Sequence, residues 1–480
     1  MVTILNYIDG RFVPAVSGRT LDNWRPRDGR IYGTLPASDV ADVELAVKAA
    51  EVASAGWRKT TVQERSQWLL KIAAVIEERM DAFVCAESED QGKPEALARR
   101  VDIPRAIENF RFFAGAILHQ SEEAFASSAS VLNYTQRSPV GVAGLIAPWN
   151  LPLYLLTWKI APALACGNTV VAKPSELSPY TAFLLAEVLQ AIDFPKGVCN
   201  IVHGLGAEVG DALVSHPRVP LISFTGGTVT AKRISERAAP FAKKLSLELG
   251  GKNPALIFSS CELASAITTS VRSSFTNQGE ICLCTSRLLI DQKIFEDFAH
   301  GFVKAVQELT VGDPRHSENE LGALISAAHR EKVDGYVQRA VKAGAKLLTG
   351  GRKLSPPGEL AEGYYYEPTV LLVTDPSFEI FQEEVFGPVV TLTPFATYEE
   401  AIALANATRY GLAATIWTRD LTEAHRASAD VESGLVWVNT WMNRDLRVPF
   451  GGMKASGVGR EGGRHSLDFY SEEKNICLQL

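Results

Sequence analysis

The stretch KLSLELGGKNPALIF, residues 244–258, contains two short apolar runs separated by paired glycines and an Asn-Pro dipeptide. Each run has the length and aliphatic content of a buried strand, whereas Gly-Gly and Asn-Pro are typical of loops. We therefore predict that one β-sheet ends near Gly250 and that another begins shortly after Gly251. This stretch is the predicted boundary between two structural units.

Short apolar runs alternate with helical stretches on both sides of this boundary. The predicted strands before it are VGVAGLIAP, NTVVAK, GVCNIV and LISFTGG, and those after it include RLLI, KLLTG, TVLLV, VVTLTPF, AATIWT and LVWVN. Between them lie segments with helical apolar spacing, such as YTAFLLAEVLQAI. A β-α rhythm with strands rich in Val, Ile and Leu predicts parallel sheets covered on both faces, so the fold class is α/β.

Other parts of the chain differ in pattern. Residues 35–118 are predicted to be helical, because VELAVKAAEVASAGW and SQWLLKIAAVIEERMDAFV carry apolar residues at helical spacing. The segment VLNYTQR, residues 131–137, alternates like an isolated strand, and the C-terminal NICLQL is another strand-like piece. Neither short piece fits the β-α rhythm of the main sheets.

Length and composition limit the function. The 480 residues correspond to two or three domains of roughly 100–200 residues each. A net charge of −7 without a dense Lys/Arg run argues against nucleic-acid binding. The N-terminus lacks a signal-peptide pattern, and no apolar run approaches the ~18 residues of a membrane span. We therefore expect a cytoplasmic protein without a membrane or nucleic-acid partner.

The seven cysteines are odd in number and irregularly spaced, which in a chain of this length predicts reduced thiols rather than a disulfide framework. No pair of C-x-x-C motifs and no H-E-x-x-H occurs, so we expect no metal site. The eight histidines are scattered and are interpreted as surface or satisfied core residues.

Three predicted strand ends carry features of a nucleotide site. AKPSE places Lys173, Ser175 and Glu176 directly after an apolar strand, where a Lys and a Glu could bind ribose hydroxyls. FTGG places Gly226 and Gly227 before a helix, where backbone N–H groups can approach phosphate. HGLGAEVG is an incomplete G-x-G-x-x-G and is a weak signal alone. Taken singly, each motif could equally be a simple β-α turn.

Three polar residues are candidates for covalent catalysis. Cys282 follows Asn-Gln-Gly-Glu at the end of a predicted helix, and the glycine permits a tight turn that could expose a thiol. Glu248 lies in an apolar strand, where burial would raise its pKa and make it a base near neutral pH. Asn150, flanked by prolines in APWNLP, could donate to a developing oxyanion. The alternatives are an inert cysteine, a half-exposed edge Glu and a turn Asn.

Taken together, these motifs resemble the aldehyde dehydrogenase superfamily over nearly the whole chain. The motifs, in order, are PWN, KPSE, FTGG, ELGGKNP, NQGEICLCTSR, EEVFGPV and PFGGMKASGVGRE. The resemblance implies a Rossmann-type cofactor domain (residues 1–118 and 140–250) and an α/β catalytic domain (251–440). It also implies a small β oligomerisation hairpin with its partner strand (119–139 and 465–480), and hence a homodimer or homotetramer.

The resemblance implies roles by position. Cys282 is the expected nucleophile, with Cys284 a nonessential neighbour, Glu248 the general base and Asn150 the oxyanion donor, helped by the backbone N–H of Cys282. The implied NAD-binding residues are Ile146, Ala147, Trp149, Lys173, Ser175, Glu176, Gly206, Phe224, Thr225, Gly226, Gly227, Leu249, Glu384 and Phe386. The sequence departs from the family pattern at Gly227 and Glu280, where the family often has Ser and Gln; the family's later Gly or Ala is Ala231 here.

A narrower likeness is to the branch of the family that oxidises 2-aminomuconate and 2-hydroxymuconate semialdehydes. It is carried by IPRAIENFRFFA, PWNLPLYLLTWKIAPALACGNTV, CTSR and NRDLRVPFGGMK. That branch holds a substrate carboxylate with arginines, which by motif are Arg105 and Arg444, with Arg111 and Arg447 as alternatives. A guanidinium always carries its charge and can bind a carboxylate through two hydrogen bonds. The competing interpretation is that these are surface or salt-bridge arginines.

The sequence therefore predicts NAD-dependent oxidation of a carboxylated semialdehyde to the dicarboxylic acid through a thioester on Cys282. A carboxylate at Glu176 would repel a 2′-phosphate, which favours NAD over NADP. Two alternatives stay open. One is an aldehyde or betaine-aldehyde dehydrogenase of broader specificity, and the other is a catalytically silent structural or binding protein on the same scaffold.

Overall fold

The computed structural model describes residues 1–479 and contains two large β-sheets with helices on both faces. The first sheet has eight strands and the second has seven, and two three-stranded sheets and one two-stranded sheet accompany them. The predicted α/β class is therefore confirmed. Within residues 1–479, no helix is both long and apolar enough to cross a bilayer.

Residues 1–139 form short strands and five helices. The strands are β1 (Val2–Thr3), β2 (Asn6–Ile8), β3 (Arg11–Val13), β4 (Thr20–Arg25), β5 (Arg30–Pro36), β6 (Ala124–Ser128) and β7 (Val131–Pro139). The helices are α1 (Val40–Trp57), α2 (Val62–Glu78), α3 (Met80–Gln91), α4 (Glu95–Leu97) and α5 (Ile103–Ala116). Asp39 and Thr61 start α1 and α2 with capping boxes, in which the cap and a carboxylate three residues on satisfy free backbone donors. The helices predicted over residues 35–118 are confirmed.

Residues 140–250 follow the predicted β-α rhythm. The elements are β8 (Val142–Ile146), α6 (Pro152–Ala165), β9 (Thr169–Lys173), α7 (Tyr180–Ala191), β10 (Cys199–Ile201), α8 (Asp211–Ser215), β11 (Leu221–Gly226), α9 (Thr228–Ala238) and β12 (Lys244–Leu249). Every strand predicted in this part of the chain is present.

The rhythm continues from residue 251 to residue 440. The strands are β13 (Asn253–Ile257), β14 (Thr285–Asp291), β15 (Lys346–Thr349), β16 (Thr369–Leu372), β17 (Val389–Phe395), β18 (Tyr410–Gly411), β19 (Ala413–Trp417) and β20 (Leu435–Val438). The helices are α10 (Leu263–Phe275), α11 (Phe295–Gln307), α12 (Ala327–Lys342), α13 (Glu379–Gln382), α14 (Tyr398–Asn406) and α15 (Leu421–Asp430). Short helical turns occupy Ala98–Asp102, Ile117–His119, Gly206–Gly210, Ala239–Phe241, Thr276–Gly279 and Gly358–Leu360.

The C-terminal elements return to earlier parts of the fold. They are β21 (Met453–Lys454), β22 (Gly457–Val458), α16 (Gly463–Phe469) and β23 (Ser471–Gln479). β22 pairs antiparallel with β12, so the chain rejoins the first sheet after completing the second. β23 pairs antiparallel with β7 along its whole length, and β6 pairs with the other edge of β7. The strand expected at residues 476–480 is therefore longer than predicted, and Leu480 lies outside the described residues.

The first sheet has the strand order β22-β12-β11-β8-β9-β10-β2-β3. Its five central strands are parallel, as predicted, but the strands at both edges are antiparallel. The edges differ from the prediction because hairpin segments from the two ends of the chain complete the sheet. The second sheet, β15-β16-β17-β14-β13-β19-β20, is parallel except for β15.

The first sheet is buried on both faces. Val142 and Ile146 of β8 point to a cluster with α1, α8 and α9, whereas Ala143 and Leu145 point to the cluster with α2, α5, α6 and α7. This is the two-residue alternation of a strand that packs on both sides. After β8 the order of connection changes direction, because β9 lies on one side of it and β11 on the other. Ligands bind at the carboxyl ends of strands at such a switch point.

Candidate active site

The residues before Cys282 form a strained turn. α10 ends at Phe275, and Asn277, Gln278 and Gly279 then take left-handed φ values of 54°, 55° and 72°. A Cβ added to Gly279 would lie 2.2 Å from the Gly387 carbonyl oxygen, so only glycine fits there. Non-glycine residues in this conformation cost free energy, and such strain collects at functional sites.

Side-chain hydrogen bonds hold this turn in place. The Gln278 amide donates to the Ala323 carbonyl at 3.2 Å and accepts from the Gly322 N–H at 3.3 Å. Asn277 donates to the backbone carbonyls of Asn150 at 3.1 Å and Glu280 at 3.2 Å. Because these four bonds are buried, they offset the backbone strain and fix the path of the chain towards Cys282.

Glu280 is wholly buried beside the turn. Its two carboxyl oxygens accept from the Gln91 amide at 2.6 Å and the Ile325 N–H at 3.2 Å. Burial raises the pKa of Glu280 well above its usual value, and these hydrogen bonds only partly oppose the shift. Burial therefore favours the uncharged carboxyl. An uncharged carboxyl has the shape of a Gln amide, which fits the departure from the family pattern at this position.

A cleft of about 720 Å³ opens beside the turn, at the carboxyl ends of β8, β11 and β12. It is lined by Pro148, Trp149, Asn150, Leu155, Thr225, Gly226, Gly227, Glu248, Leu249, Gly250, Cys282, His329, Lys332, Glu384 and Phe386. All three candidate catalytic residues lie in it, together with seven of the candidate cofactor residues.

Glu248 is buried next to Cys282. It lies in β12 between Thr225 of β11 and Gly457 of β22, and neither carboxylate oxygen has a hydrogen-bond partner among the described residues. Burial and the nearby Glu461 raise its pKa to about 7, although Lys159, Cys282 and Arg444 oppose the shift. A carboxyl with this pKa can accept a proton near neutral pH.

The Cys282 thiol shares this environment. Burial and the adjacent Glu248 carboxylate raise its pKa well above the ordinary value, and the positive charge of Arg444 opposes that shift. The proton therefore rests on sulfur in this arrangement, and a nearby base must take it before the sulfur can attack. Glu248 is the carboxylate that perturbs the pKa of this thiol most.

Asn150 follows β8 and precedes α6, with Pro148 and Pro152 restricting the backbone on either side. One N–H of its side-chain amide donates to the Glu280 carbonyl at 2.8 Å. An amide nitrogen has two N–H donors, so the second stays available for a ligand in the cleft. Its side chain is thus oriented by one bond and free to form another, as an oxyanion donor requires.

The cofactor candidates lie at neighbouring strand ends. Lys173 ends β9, and its ammonium donates to the Glu176 carboxylate at 2.8 Å. Although burial raises the pKa of Glu176, the charge and hydrogen bond of Lys173 outweigh it, and the pKa lies below its usual value. Gly227 caps α9. Gly226 allows its backbone to approach the Phe224 ring closely, because an added Cβ would lie 2.4 Å from that ring.

The remaining cofactor candidates divide into two groups. Ile146, Ala147, Phe224, Thr225 and Leu249 are buried at the ends of β8, β11 and β12, and the Thr225 hydroxyl has no partner among the described residues. Ser175 and Gly206 lie further along the strand ends, Ser175 accepting from the Leu177 N–H and Gly206 starting an exposed turn. The buried, unpartnered hydroxyl fits a polar ligand at this edge of the sheet.

Aromatic rings and Glu384 form the opposite wall of the cleft. Trp149 packs edge-on against Phe386 and His329, with ring centroids 5.3 and 5.2 Å apart. The His329 ring bonds the Phe386 carbonyl at 2.6 Å, and burial lowers the His329 pKa to about 4. Glu384 accepts from the Gly251 N–H at 2.9 Å, and burial raises its pKa to about 7. His329 and Lys332 could not be singled out from the sequence, because neither follows a predicted strand or lies in a recognised motif.

The four candidate substrate arginines separate into two pairs. Arg444 donates to the Tyr154 hydroxyl at 2.7 Å, and the Arg105 guanidinium lies 5.7 Å from the centre of the same ring. Neither forms an ion pair among residues 1–479. Arg111 and Arg447, by contrast, form ion pairs on the surface, with Glu77 and Asp445 at 2.5 Å each.

Tyr154 belongs to an apolar cluster that reaches the turn before Cys282, which we call the catalytic turn. The cluster includes Leu151, Leu155, Ile281, Trp441 and Phe450, and Cys282 packs against it. Arg444 also lies over the Phe450 ring, 4.0 Å from its centre. Arg105 and Arg444 therefore adjoin the same surface as the thiol, whereas Arg111 and Arg447 already have carboxylate partners.

The carboxyl ends of a largely parallel sheet form an edge of the kind that binds nucleotides. The cleft at this edge holds a thiol, a carboxyl of pKa about 7 and an oriented amide. Together these features define the class of this protein as an oxidoreductase. Within residues 1–479, no group of three or more His, Cys, Asp or Glu side chains is arranged to hold a metal ion.

The chain belongs to the aldehyde dehydrogenase family, whose model matches residues 12–476. It is 51% identical to the 2-aminomuconic semialdehyde dehydrogenase of Danio rerio over 99% of this chain and 98% of that protein. It is 46% identical to the 2-hydroxymuconic semialdehyde dehydrogenase of Pseudomonas sp. (strain CF600) over the full length of both. The NAD+ complex of an aldehyde dehydrogenase from Bacillus cereus matches with a TM-score of 0.97 at 36% identity, covering 100% of this chain and 97% of that one.

The predicted family and fold are therefore confirmed, and the protein is an oxidoreductase of a family that uses NAD or NADP. The prediction of a semialdehyde dehydrogenase agrees with the curated relatives.

Proposed function

We propose that this protein oxidises a carboxylated semialdehyde, of the 2-aminomuconate or 2-hydroxymuconate type, to the dicarboxylic acid with NAD. The observation that carries the substrate class is the convergence of Arg105 and Arg444 on Tyr154, beside the apolar cluster that contacts Cys282. Two guanidinium groups without acidic partners can hold a carboxylate at one end of a substrate whose aldehyde reaches the thiol. The names of the relatives support the same class.

The reaction begins at Cys282. Glu248 takes the thiol proton, and the sulfur forms a bond to the aldehyde carbon while the carbonyl oxygen gains negative charge. The free N–H of the Asn150 amide donates to that oxygen and stabilises the charge. Lys173, Glu176, Gly226 and Gly227 would hold a nicotinamide cofactor, which would supply a hydride acceptor for the substrate carbon and so allow a thioester to form on Cys282.

Hydrolysis of the thioester completes the cycle. Glu248 first releases the thiol proton to solvent and then removes a proton from water, and the resulting oxygen nucleophile attacks the thioester carbon. The carbon–sulfur bond breaks, and Glu248 returns a proton to the leaving sulfur. The products are the carboxylic acid and the regenerated thiol. One carboxyl with a pKa of about 7 suits both proton transfers, because it exchanges protons readily near neutral pH.

The preference for NAD over NADP rests on Glu176. Its pKa lies below the usual value, so the carboxylate is charged at neutral pH. A charged carboxylate at the adenosine ribose accepts a hydrogen bond from the 2′-hydroxyl and repels a 2′-phosphate. Lys173 would share the ribose contact, Gly226 and Gly227 would approach the pyrophosphate, and Glu384 and Phe386 would lie near the nicotinamide ribose and ring.

Substrate competition between two aldehydes tests the proposal. We expect kcat/KM for 2-hydroxymuconate semialdehyde to exceed that for hexanal, and Arg105→Ala to lower only the first, by about 100-fold. Arg444→Ala should lower both, and the first more, because the Arg444 charge also acts on Cys282 and Glu248. NADH absorbance measures both reactions. Arg111→Ala and Arg447→Ala are matched controls, because their guanidiniums are paired on the surface, and we expect little change. Equal losses for both aldehydes would favour the broader dehydrogenase, and no turnover of either would favour the silent scaffold.

The remaining proposals concern organisation. We assign residues 1–118 and 140–250 to the cofactor domain and 251–440 to the catalytic domain. Residues 119–139 and 465–480 are the proposed oligomerisation segments, since β6 is exposed along its whole length at the edge of its sheet. Gel filtration with light scattering distinguishes monomer, dimer and tetramer.

A cytoplasmic location is consistent with seven unpaired cysteines.

A further inference from the structure

Three ionisable side chains lie wholly buried behind Asn150. Glu87 comes from α3, Lys93 follows the left-handed Gly92 that ends this helix, and Asp102 closes the turn before α5. The Lys93 ammonium lies 3.2 Å from a carboxyl oxygen of Asp102 and 3.6 Å from one of Glu87. Each of the three is 0% exposed.

This cluster pairs one ammonium with two carboxyls. Burial raises the pKa of both carboxyls, while the Lys93 charge opposes both shifts. The cluster thus sets one ammonium against two carboxyls whose uncharged forms are favoured by burial. Buried charged groups often contribute no net stability compared with apolar side chains of similar size, so the presence of three such groups points to another role.

The cluster contacts the backbone at the oxyanion candidate itself and at Leu153, three residues after it. The Lys93 ammonium donates to the Asn150 carbonyl oxygen at 3.0 Å, and Glu87 accepts from the Leu153 N–H at 3.3 Å. The Asn150 carbonyl also accepts from Asn277 at 3.1 Å, which uses its second lone pair. The peptide that carries the catalytic amide is thus held from one side by the cluster and from the other by the catalytic turn.

We propose that Lys93 is a positioning residue for the reaction, acting through Asn150. Its ammonium fixes the Asn150 peptide, so that one amide N–H stays on the Glu280 carbonyl and the other points at the substrate oxygen. Lys93 itself touches neither substrate nor cofactor. Without the Lys93 ammonium, the Asn150 peptide is held less firmly and its side-chain amide can turn away from the substrate oxygen. Stabilisation of an oxyanion depends on donors that are held in place beforehand. This inference rests on the role given above to Asn150.

A double-mutant cycle between Lys93 and Asn150 tests the inference. The change at Lys93 is made as Lys93→Met together with Asp102→Asn, which removes the ammonium and its closest carboxylate at once. We expect kcat/KM to fall about 10- to 100-fold in an otherwise native enzyme. In an Asn150→Ala background the same pair of changes should cost less than about twofold, because there is no amide left to misplace.

Two further measurements separate positioning from general damage. The rate of Cys282 alkylation by iodoacetamide and the Kd for NAD+ should both stay at native values, since neither depends on the Asn150 amide. Lys243→Met is the matched control: Lys243 is also buried, and its ammonium donates to the carbonyls of His216 and Val219, away from the cleft. We expect this control to leave kcat/KM unchanged.

Three results would overturn the inference: full activity without Lys93, the same fold-loss in the Asn150→Ala background, or a parallel fall in the alkylation rate. If loss of the charge pair prevents folding, Lys93→Arg replaces it, because arginine keeps the charge but cannot place a donor at the same point. We expect Lys93→Arg to lower kcat/KM in the native background and to have little effect in the Asn150→Ala background. Native activity of Asn150→Ala alone would instead refute the proposed role of Asn150.

Discussion

Glu248 and Cys282 perturb each other in the cleft: the carboxylate raises the pKa of the thiol, and the thiol lowers the pKa of the carboxyl. The pKa of Glu248 nevertheless stays at about 7, because burial and Glu461 outweigh the groups that lower it. The pair therefore combines a base that is half ionised at neutral pH with a thiol that retains its proton until that base acts.

The first prediction concerns this base. Glu248→Gln keeps the shape of the side chain but cannot accept a proton, so we expect kcat to fall by about 10²- to 10⁴-fold. In the native enzyme, Glu248 is active when deprotonated, and the rate should rise as the pH increases through about 7. The variant should lose that rise. A pH profile of kcat that stays the same in both proteins would contradict the assignment of Glu248.

The second prediction concerns the nucleophile. Cys282→Ala removes the only atom that can form the thioester, so we expect turnover to vanish while NAD+ still binds. Single-turnover NADH formation and mass spectrometry of the acyl-enzyme measure the loss of chemistry, and calorimetric titration with NAD+ measures the retained binding. Cys284→Ala is the matched control, because this neighbouring thiol is buried in the apolar cluster and donates to the Thr276 carbonyl. Acylation of Cys284 instead of Cys282 would refute the assignment.

The third prediction concerns the cofactor. Glu176→Gln removes the negative charge that we propose faces the adenosine ribose, so we expect kcat/KM for NADP to rise relative to NAD by about 10- to 100-fold. Steady-state kinetics with both cofactors measure the ratio. A native enzyme that already prefers NADP would contradict the proposal before any substitution is made.

Local sequence patterns predicted most of the fold. The strands around Gly250 and Gly251 lie where the apolar runs are, because a strand buried on both faces needs a continuous apolar stretch. The pairing of β22 with β12 could not be predicted, because a strand of only two residues, Gly457 and Val458, in a polar stretch of sequence carries no strand signal. Their position depends on contacts with a strand more than two hundred residues earlier in the chain.

The site shows the same division. Asn150, Glu248 and Cys282 each lie in a short motif with a chemical reason, so the sequence could single them out. His329 and Lys93 carry no such motif, and their importance arises only when the fold brings them to Phe386 and Asn150. The choice between the two arginine pairs also needed the structure, because only Arg105 and Arg444 meet at Tyr154.

The fourth prediction concerns the turn before Cys282, and it uses one substitution with opposite effects at two glycines. Gly279→Ala forces an alanine into a left-handed conformation and places its Cβ 2.2 Å from the Gly387 carbonyl oxygen. We expect a loss of about 2 kcal/mol or more in the free energy of unfolding, together with lower activity, because the turn that presents Cys282 must shift. Gly56→Ala is the control, since Gly56 lies inside α1 and an added Cβ would meet nothing within 4 Å. There we expect a gain of about 0.5–1 kcal/mol, because alanine has the higher helix propensity and loses less backbone entropy. Denaturant melts and kcat/KM for both variants decide the matter: equal stability changes at the two positions would show that the close approach of Gly279 to Gly387 does not constrain the catalytic turn.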